Sequence, residues 1–285
     1  MLRPTIAPRA GRSLLRNPRR FLHQVPLLQH EYKHGVGPKD DLFMSAGGFE
    51  VAWTQYQGLM VEKLNALTAG GEWESRTAKD ILLKHAREPQ SAPIFNYASM
   101  AHNNHLFFEA LSPTGVPMSP QLKKSLEDSF SSIDTLQREM VLTASSMFGP
   151  GFVWIVQAKT GEFSLLTTYL AGTPYPAAHY RQQPVDMNTE DSSVSEHIRR
   201  INRAPPVNGL GAFGPSSGDK RKLGPGGADI TPVLCVNTWE HVYLPDYGVK
   251  NKRRFVENWW RKIDWNIVAS RSTLGMRSGA DKFIH

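Results

Sequence analysis

Apolar residues settle into a helical rhythm from about Ser45. Phe49, Ala52, Trp53, Tyr56, Met60, Leu64 and Leu67 recur mostly at spacings of three and four, and Gly70-Gly71 stops the run. A short helix is expected over Thr77 to Arg87. Another begins near Pro93 and carries Phe95, Met100, His102, His105, Phe107 and Phe108. The run Leu111-Ser112-Pro113-Thr114-Gly115 breaks the pattern and marks a boundary between two lobes. Ser119-Pro120 opens a third long helix, striped by Leu122, Leu126, Phe130, Ile133, Leu136 and Met140. Phe148-Gly149-Pro150-Gly151 ends the helical region. Phe152 to Gln157, a turn at Lys159-Thr160-Gly161, and Phe163 to Leu170 then read as a β-hairpin, and Val233 to Val236 as a third strand.

Between the hairpin and the third strand, residues 177–228 are polar and punctuated by glycine and proline. Ser193 to Arg203 is their one helix candidate. A stretch of that length without elements inside a domain reads as an insertion ordered, if at all, by a partner. An amphipathic helix is expected over Arg254 to Ala269, carrying Phe255, Trp259, Trp260, Ile263, Ile267 and Val268. The organisation that follows is a start at 1–25, an extended lead-in at 26–44, a helical unit at 45–115, an α/β unit at 116–269 and a basic tail at 270–285.

Composition changes the picture in two places. The chain is 40% hydrophobic with 7 Trp, 13 Phe and 8 Tyr, enough for a sizeable core, and no apolar run reaches the ~18 residues of a membrane span. The net charge of +7 is concentrated. Residues 1–25 hold Arg3, Arg9, Arg12, Arg16, Arg19 and Arg20 and no acid, the pattern of a mitochondrial presequence; a basic arm that binds RNA is the other reading. A second excess lies in Lys250, Lys252, Arg253, Arg254, Arg261, Lys262, Arg271, Arg277 and Lys282. These residues could meet phosphate by releasing counterions, or could simply form a solvated face.

Site chemistry is sparse. The sequence has no phosphate-binding glycine loop, nucleophile elbow or His-Glu-x-x-His motif. The single cysteine, Cys235, sits in an apolar strand and reads as a small hydrophobe. His102 and His105 lie three apart on a helix and could share a metal. The segment Asn237-Thr238-Trp239-Glu240-His241 follows a strand, where a histidine can reach a ligand.

Read together, these segments acquire a pattern. Asn237 to Tyr243, Phe255 to Trp260 and Ile263 to Val268 resemble the C-terminal part of iron/manganese superoxide dismutases. Asn103-Asn104-His105, Phe107-Phe108 and Leu111-Ser112-Pro113 look like that family's second metal-ligand helix. Gly149 to Trp154 and Ala171 to Pro174 are similar to its hairpin region, and Leu122 to Met147 to the helix before it. The resemblance covers about residues 45–176 and 229–269. It implies an α+β fold: an N-terminal α-helical hairpin domain followed by a C-terminal α/β domain with a three-stranded antiparallel sheet.

The resemblance also implies a metal site, and the residues at its positions are altered. The family holds its ion through a His on each of the first two long helices, then an Asp and a third His. Here the third His is His241, the Asp position is Asn237, and the second-helix position is Asn104, or His105 if the alignment slips by one residue. The first position is Ala52, and residues 45–70 contain no histidine in any register. The family's outer glutamine corresponds to Met100 or Ala171, and its gateway tyrosine and neighbouring histidine fall near Met60 and Tyr56. Manganese and iron(II) sit at the weak end of the divalent affinity order and need ligand number and charge, which this set lacks. The expectation is therefore no cofactor, no catalysis and no small-molecule substrate.

Glu240 and His241 are retained. In the family the matching Glu reaches across a dimer interface to the partner's ligand histidine, so the pair is expected at such an interface here. A presequence, an altered site, a long insertion and a basic C-terminus together resemble the superoxide dismutase-like proteins of the fungal mitochondrial small ribosomal subunit. That resemblance implies a structural ribosomal protein, no membrane, neighbouring ribosomal proteins and rRNA as partners, and a heterodimer with a paralogue of the same fold. The alternatives are a divergent mitochondrial dismutase drawing ligands from His102 or His105, and a free-standing dimeric scaffold.

Overall fold

The computed structural model describes residues 23–86, 88–175 and 230–273. Most of the presequence, the insertion with its Ser193–Arg203 helix candidate, and the tail from residue 274 lie outside these.

Helix α1 (Ala46–Phe49) is capped by Ser45, whose side chain accepts from Gly48 N. It runs through a π turn at Glu50–Gln55 into α2 (Tyr56–Thr68). Helix α3 (Ala78–His85) opens on a capping box in which Thr77 and Asp80 satisfy one another's backbone N–H groups. Helix α4 (Ala92–Glu109) packs against α2 and α3. Along α2 the inward face is Gln57, Met60, Val61, Leu64 and Asn65, whereas Leu67, expected on that face, is 43% exposed.

Two of the long helices expected from the sequence are each a pair. The stripe from Leu122 to Met140 spans α5 (Pro120–Phe130) and α6 (Ile133–Ser146). Ser131 between them takes a positive φ of 68°, and Ser132 caps α6 by accepting from Thr135 N. The C-terminal helix is likewise α8 (Lys252–Trp260) and α9 (Trp265–Arg271). The break has a cause in the other half of the chain. Residues 262–264 straighten and bond the segment after α4: Ser112 N to Lys262 O at 2.7 Å, Val116 N to Ile263 O at 3.0 Å, and Asp264 N to Ala110 O at 2.8 Å. Gly115, at φ +69°, sits where a Cβ would lie 2.3 Å from Arg261 O, so the close approach requires glycine.

The sheet has the order β2-β1-β3, built from β1 (Gly151–Ala158), β2 (Phe163–Tyr169) and β3 (Ile230–Asn237), all antiparallel. The central strand is buried almost throughout, and Pro232 stands at the register shift between Ile155 and Val156, where a missing N–H is tolerated. This is the expected α+β fold. The lead-in belongs to the packed structure as well: Tyr32, Val36, Phe43 and Met44 are buried, and Tyr32 Oη donates to Leu111 O at 2.8 Å. Among the described residues no helix is long and apolar enough to cross a membrane.

Candidate functional site: a buried amide chain

Strand β3 ends at Asn237 and the chain turns into α7 (Glu240–Tyr247). Trp239 N donates to Asn237 Oδ1 at 2.9 Å, which closes the turn and fixes that side chain. Asn237 Nδ2 donates to Asn104 Oδ1 at 3.1 Å. Asn104 Nδ2 donates in turn to Gln57 Oε1 at 3.0 Å and Ala52 O at 3.2 Å. Gln57 Nε2 donates to Ala101 O at 2.9 Å. Ala52, Asn104 and Asn237 are all 0% exposed and Gln57 is 1% exposed.

The π turn explains how Ala52 takes part. Tyr56 N bonds Val51 O, five residues back, so the turn here holds one residue more than an α-helical turn. The methyl side chain leaves room for the Asn104 amide to reach the Ala52 carbonyl.

These positions are where the dismutase resemblance places metal ligands. Asn104 stands in the chain of bonds. His105 does not: it is half-buried, with its ring 6.1 Å from that of Trp53 and its Nε2 buried without a hydrogen-bond partner. Burial holds its pKa below the ordinary histidine value, with Glu109 opposing. His102 is engaged elsewhere, its Nε2 2.7 Å from Tyr175 Oη, and Lys79 lies 5.0 Å above the Tyr175 ring. His102 Nε2 and His105 Nε2 take no part in the amide chain. Met100 is buried, and Ala171 offers its carbonyl to Ser99 Oγ.

His241 lies on the rim. Its ring stacks on Tyr56 at 3.9 Å and 20°, with Trp239 5.8 Å away. Desolvation lowers its pKa to about 4, and its Nε2 is buried without a hydrogen-bond partner. Glu240 is half-exposed in the first turn of α7. Cys235 is fully buried, which pushes its thiol pKa well up.

A manganese or iron ion does not fit the residues present. Each of the three amides uses its N–H groups toward the interior of the cradle, and every amide oxygen is already an acceptor. No carboxylate enters, and among the described residues no three His, Cys, Asp or Glu side chains gather to hold an ion.

Gln57 is the member that sequence reasoning missed. It lies four residues after Trp53 and three before Met60, on the inward face, and its polarity removed it from the apolar stripe.

The basic residues divide. Lys250, Arg253, Arg254 and Arg261 are exposed, Arg253 paired with Glu257 at 2.9 Å and Arg261 with Asn258 at 2.6 Å. Three others are turned inward, contrary to expectation. Lys262 is 2% exposed and donates to Asp41 Oδ2 at 2.5 Å. Arg271 reaches Val233 O and Leu106 O, each at 3.3 Å, and Glu109 Oε2 at 2.5 Å. Lys252 donates to Met147 O at 3.0 Å, and burial lowers its pKa. Each neutralises a carbonyl or carboxylate left by a chain break or helix end, a use that composition cannot distinguish from a solvated charge. Arg277 lies outside the described residues.

With this geometry the comparisons can be read. Residues 118–187 and 218–271 match the C-terminal domain of iron/manganese superoxide dismutases, and the fold is superoxide dismutase-like. It is 26% identical to small ribosomal subunit protein mS43 of Schizosaccharomyces pombe over 238 residues, which cover 80% of this chain and 79% of that protein. It is 28% identical to small ribosomal subunit protein mS42 of the same organism over 209 residues, 69% of this chain and 74% of that one. It is also 24% identical to the iron superoxide dismutase of Legionella pneumophila over 223 residues, 78% of this chain and 86% of the enzyme.

Proposed function

We propose that this protein is a non-catalytic constituent of the mitochondrial small ribosomal subunit, built on a dismutase-like scaffold that pairs with a paralogue of the same fold. The observation that carries the non-catalytic part is the bond from Asn237 to Asn104: two neutral amides pair with each other where the resemblance expects a carboxylate and an imidazole. Similarity to mS43 and mS42 supports the ribosomal part. Two different small-subunit proteins of one organism resemble this single chain, which suits a heterodimer of paralogues.

In this reading Glu240 and His241 lie at the dimer interface. Lys250, Arg253, Arg254 and Arg261 face rRNA phosphate, joined by Arg277 and the rest of the tail. Residues 1–25 address the chain to the matrix.

The test is sedimentation of a tagged protein from mitochondria in gradients that separate the ribosomal subunits, with a dismutase assay on the purified chain. Co-migration with the small subunit and no dismutase activity are expected. Migration at the top of the gradient, or activity with stoichiometric manganese or iron, overturns the reading.

A further inference from the structure

The amide chain has a direction, and that direction can be deduced from its ends. One end is the Trp239 backbone N–H, which can only donate. The other is the Ala101 backbone carbonyl, which can only accept. Asn237 must therefore turn its oxygen toward Trp239 and its nitrogen toward Asn104. Asn104 must present oxygen to that nitrogen, and its own nitrogen to Gln57 and Ala52. Gln57 must then present oxygen to Asn104 and nitrogen to Ala101. The orientation of all three carboxamides follows from the network, and only this one leaves every contact paired.

We propose that Gln57, Asn104 and Asn237 form a one-way amide relay that replaces an ion as the cross-link between α2, α4 and β3, and that its polarity excludes both a cation and the carboxylate an ion would need. The relay joins the helical unit to the end of the sheet through bonds spanning 47 and 133 residues of sequence. A carboxylate at position 237 still accepts from Trp239, but its second oxygen then opposes the oxygen of Asn104. Turning Asn104 over relieves that contact and sets its oxygen against Gln57 Oε1 and the Ala52 carbonyl. Turning Gln57 over as well sets its oxygen against the Ala101 carbonyl. No arrangement of the ionised carboxylate pairs every group, so position 237 accepts Asp only as the neutral acid, which is costly to hold at pH 7. A cation in the cradle meets the same obstacle, since the inward groups include four N–H···O donors already committed. A fully satisfied buried network is stiff and specific, whereas a partly satisfied one is costly.

This inference goes beyond the ribosomal reading and is tested without the ribosome. The full chain, Asn237→Asp and Gln57→Glu are compared by chemical denaturation at pH 7, each with and without added Mn²⁺ or Fe²⁺. Each variant exchanges one N–H₂ for an oxygen at nearly constant volume, and each should lower the folding equilibrium constant by about a hundredfold or more. Neither metal should move the midpoint of the wild type or of Asn237→Asp. An Asn237→Asp variant as stable as the wild type, or a one-to-one stabilisation of either chain by Mn²⁺ or Fe²⁺, overturns the relay. Should neither variant fold, side-chain carboxamide exchange in the wild type decides. Protection of Gln57, Asn104 and Asn237 for hours supports the relay, and exchange within minutes, like that of exposed amides, refutes it.

Discussion

Asn237, the last residue of β3, donates its side-chain amide to Asn104 in the middle of α4 across 3.1 Å, and neither residue is exposed to solvent. A bond of this kind is modest in net worth while intact, because unfolding returns both groups to water. It is expensive to break from one side, because the remaining partner stays buried.

That asymmetry gives a first prediction. Asn237→Leu keeps the volume roughly constant but strands Trp239 N and Asn104 Oδ1. The expected loss is about 2–4 kcal/mol, read from the midpoint of urea unfolding at unchanged slope. Asn237→Leu combined with Asn104→Leu should cost less than the sum of the two single changes, since each removes the other's orphaned partner.

A second prediction concerns acid. His102 is held neutral, with a pKa lowered to about 3 chiefly by burial, then by Lys79, His105 and Arg271. Its value in the unfolded chain is near 6.5. Between those limits the unfolded chain binds the proton and the folded chain does not, so stability rises with pH across about 3 to 6.5 and is level above. The effect of this one group is on the order of 3–5 kcal/mol over the whole window. Denaturation of wild type and His102→Gln at several pH values checks it: the difference curve should show one proton's slope below pH 6.5 and none above it.

Where the sequence was legible, local pattern and tertiary structure agreed. The Thr77 cap, the Ser119-Pro120 start and the β1–β2 hairpin each depend on neighbours a few residues away, and each stands where the pattern placed it. Where the reading failed, distant contacts had decided. Apolar spacing across Arg261–Asp264 looks helical, but three backbone bonds to residues 110–116 pull that stretch straight. Ser131 breaks the α5–α6 stripe through a left-handed backbone that hydrophobic periodicity does not register. In the candidate site Ala52, Asn104 and Asn237, the positions the resemblance named, fall into one chain of bonds, with Asn104 rather than His105 as its member. Gln57 was not legible in the sequence, because a buried polar residue is recognised by its partners, and those come from another helix.

The ion pair of Lys262 with Asp41 shows the same distance effect and supplies a third prediction. The lysine side chain is 3% exposed and the carboxylate 48%. Removing the carboxylate leaves a buried ammonium without its counter-ion, whereas removing the ammonium leaves an acid that water can reach. Asp41→Ala should therefore lower the melting temperature more than Lys262→Met. The hydrogen bond from Lys262 holds the Asp41 pKa below its ordinary value, so the pair's contribution is present above about pH 4 and is lost as pH falls through the lowered value. Melting of wild type and Asp41→Asn should accordingly converge in acid. A constant gap down to the lowest pH tested would show that the bond does not depend on the carboxylate's charge.

The division among the basic residues makes the last prediction a comparison of two groups with similar formal charge. Lys250, Arg253, Arg254 and Arg261 are exposed on and beside α8, while Lys252, Lys262 and Arg271 bond Met147 O, Asp41 and the Leu106–Glu109 end of α4. If the exposed group meets phosphate, changing its four members to Gln removes up to about four counterion-releasing contacts. The slope of log affinity for RNA against log salt should then flatten by as much as ~0.9 per contact for a duplex. The melting temperature should stay within a few degrees of the wild type, because few folded-state partners are removed. Arg271→Gln should do the reverse, lowering the melting temperature while leaving the salt slope unchanged. Filter binding across a salt series, run beside thermal melting, separates the two. Equal slopes for the wild type and the four-residue variant would show that this face is simply solvated.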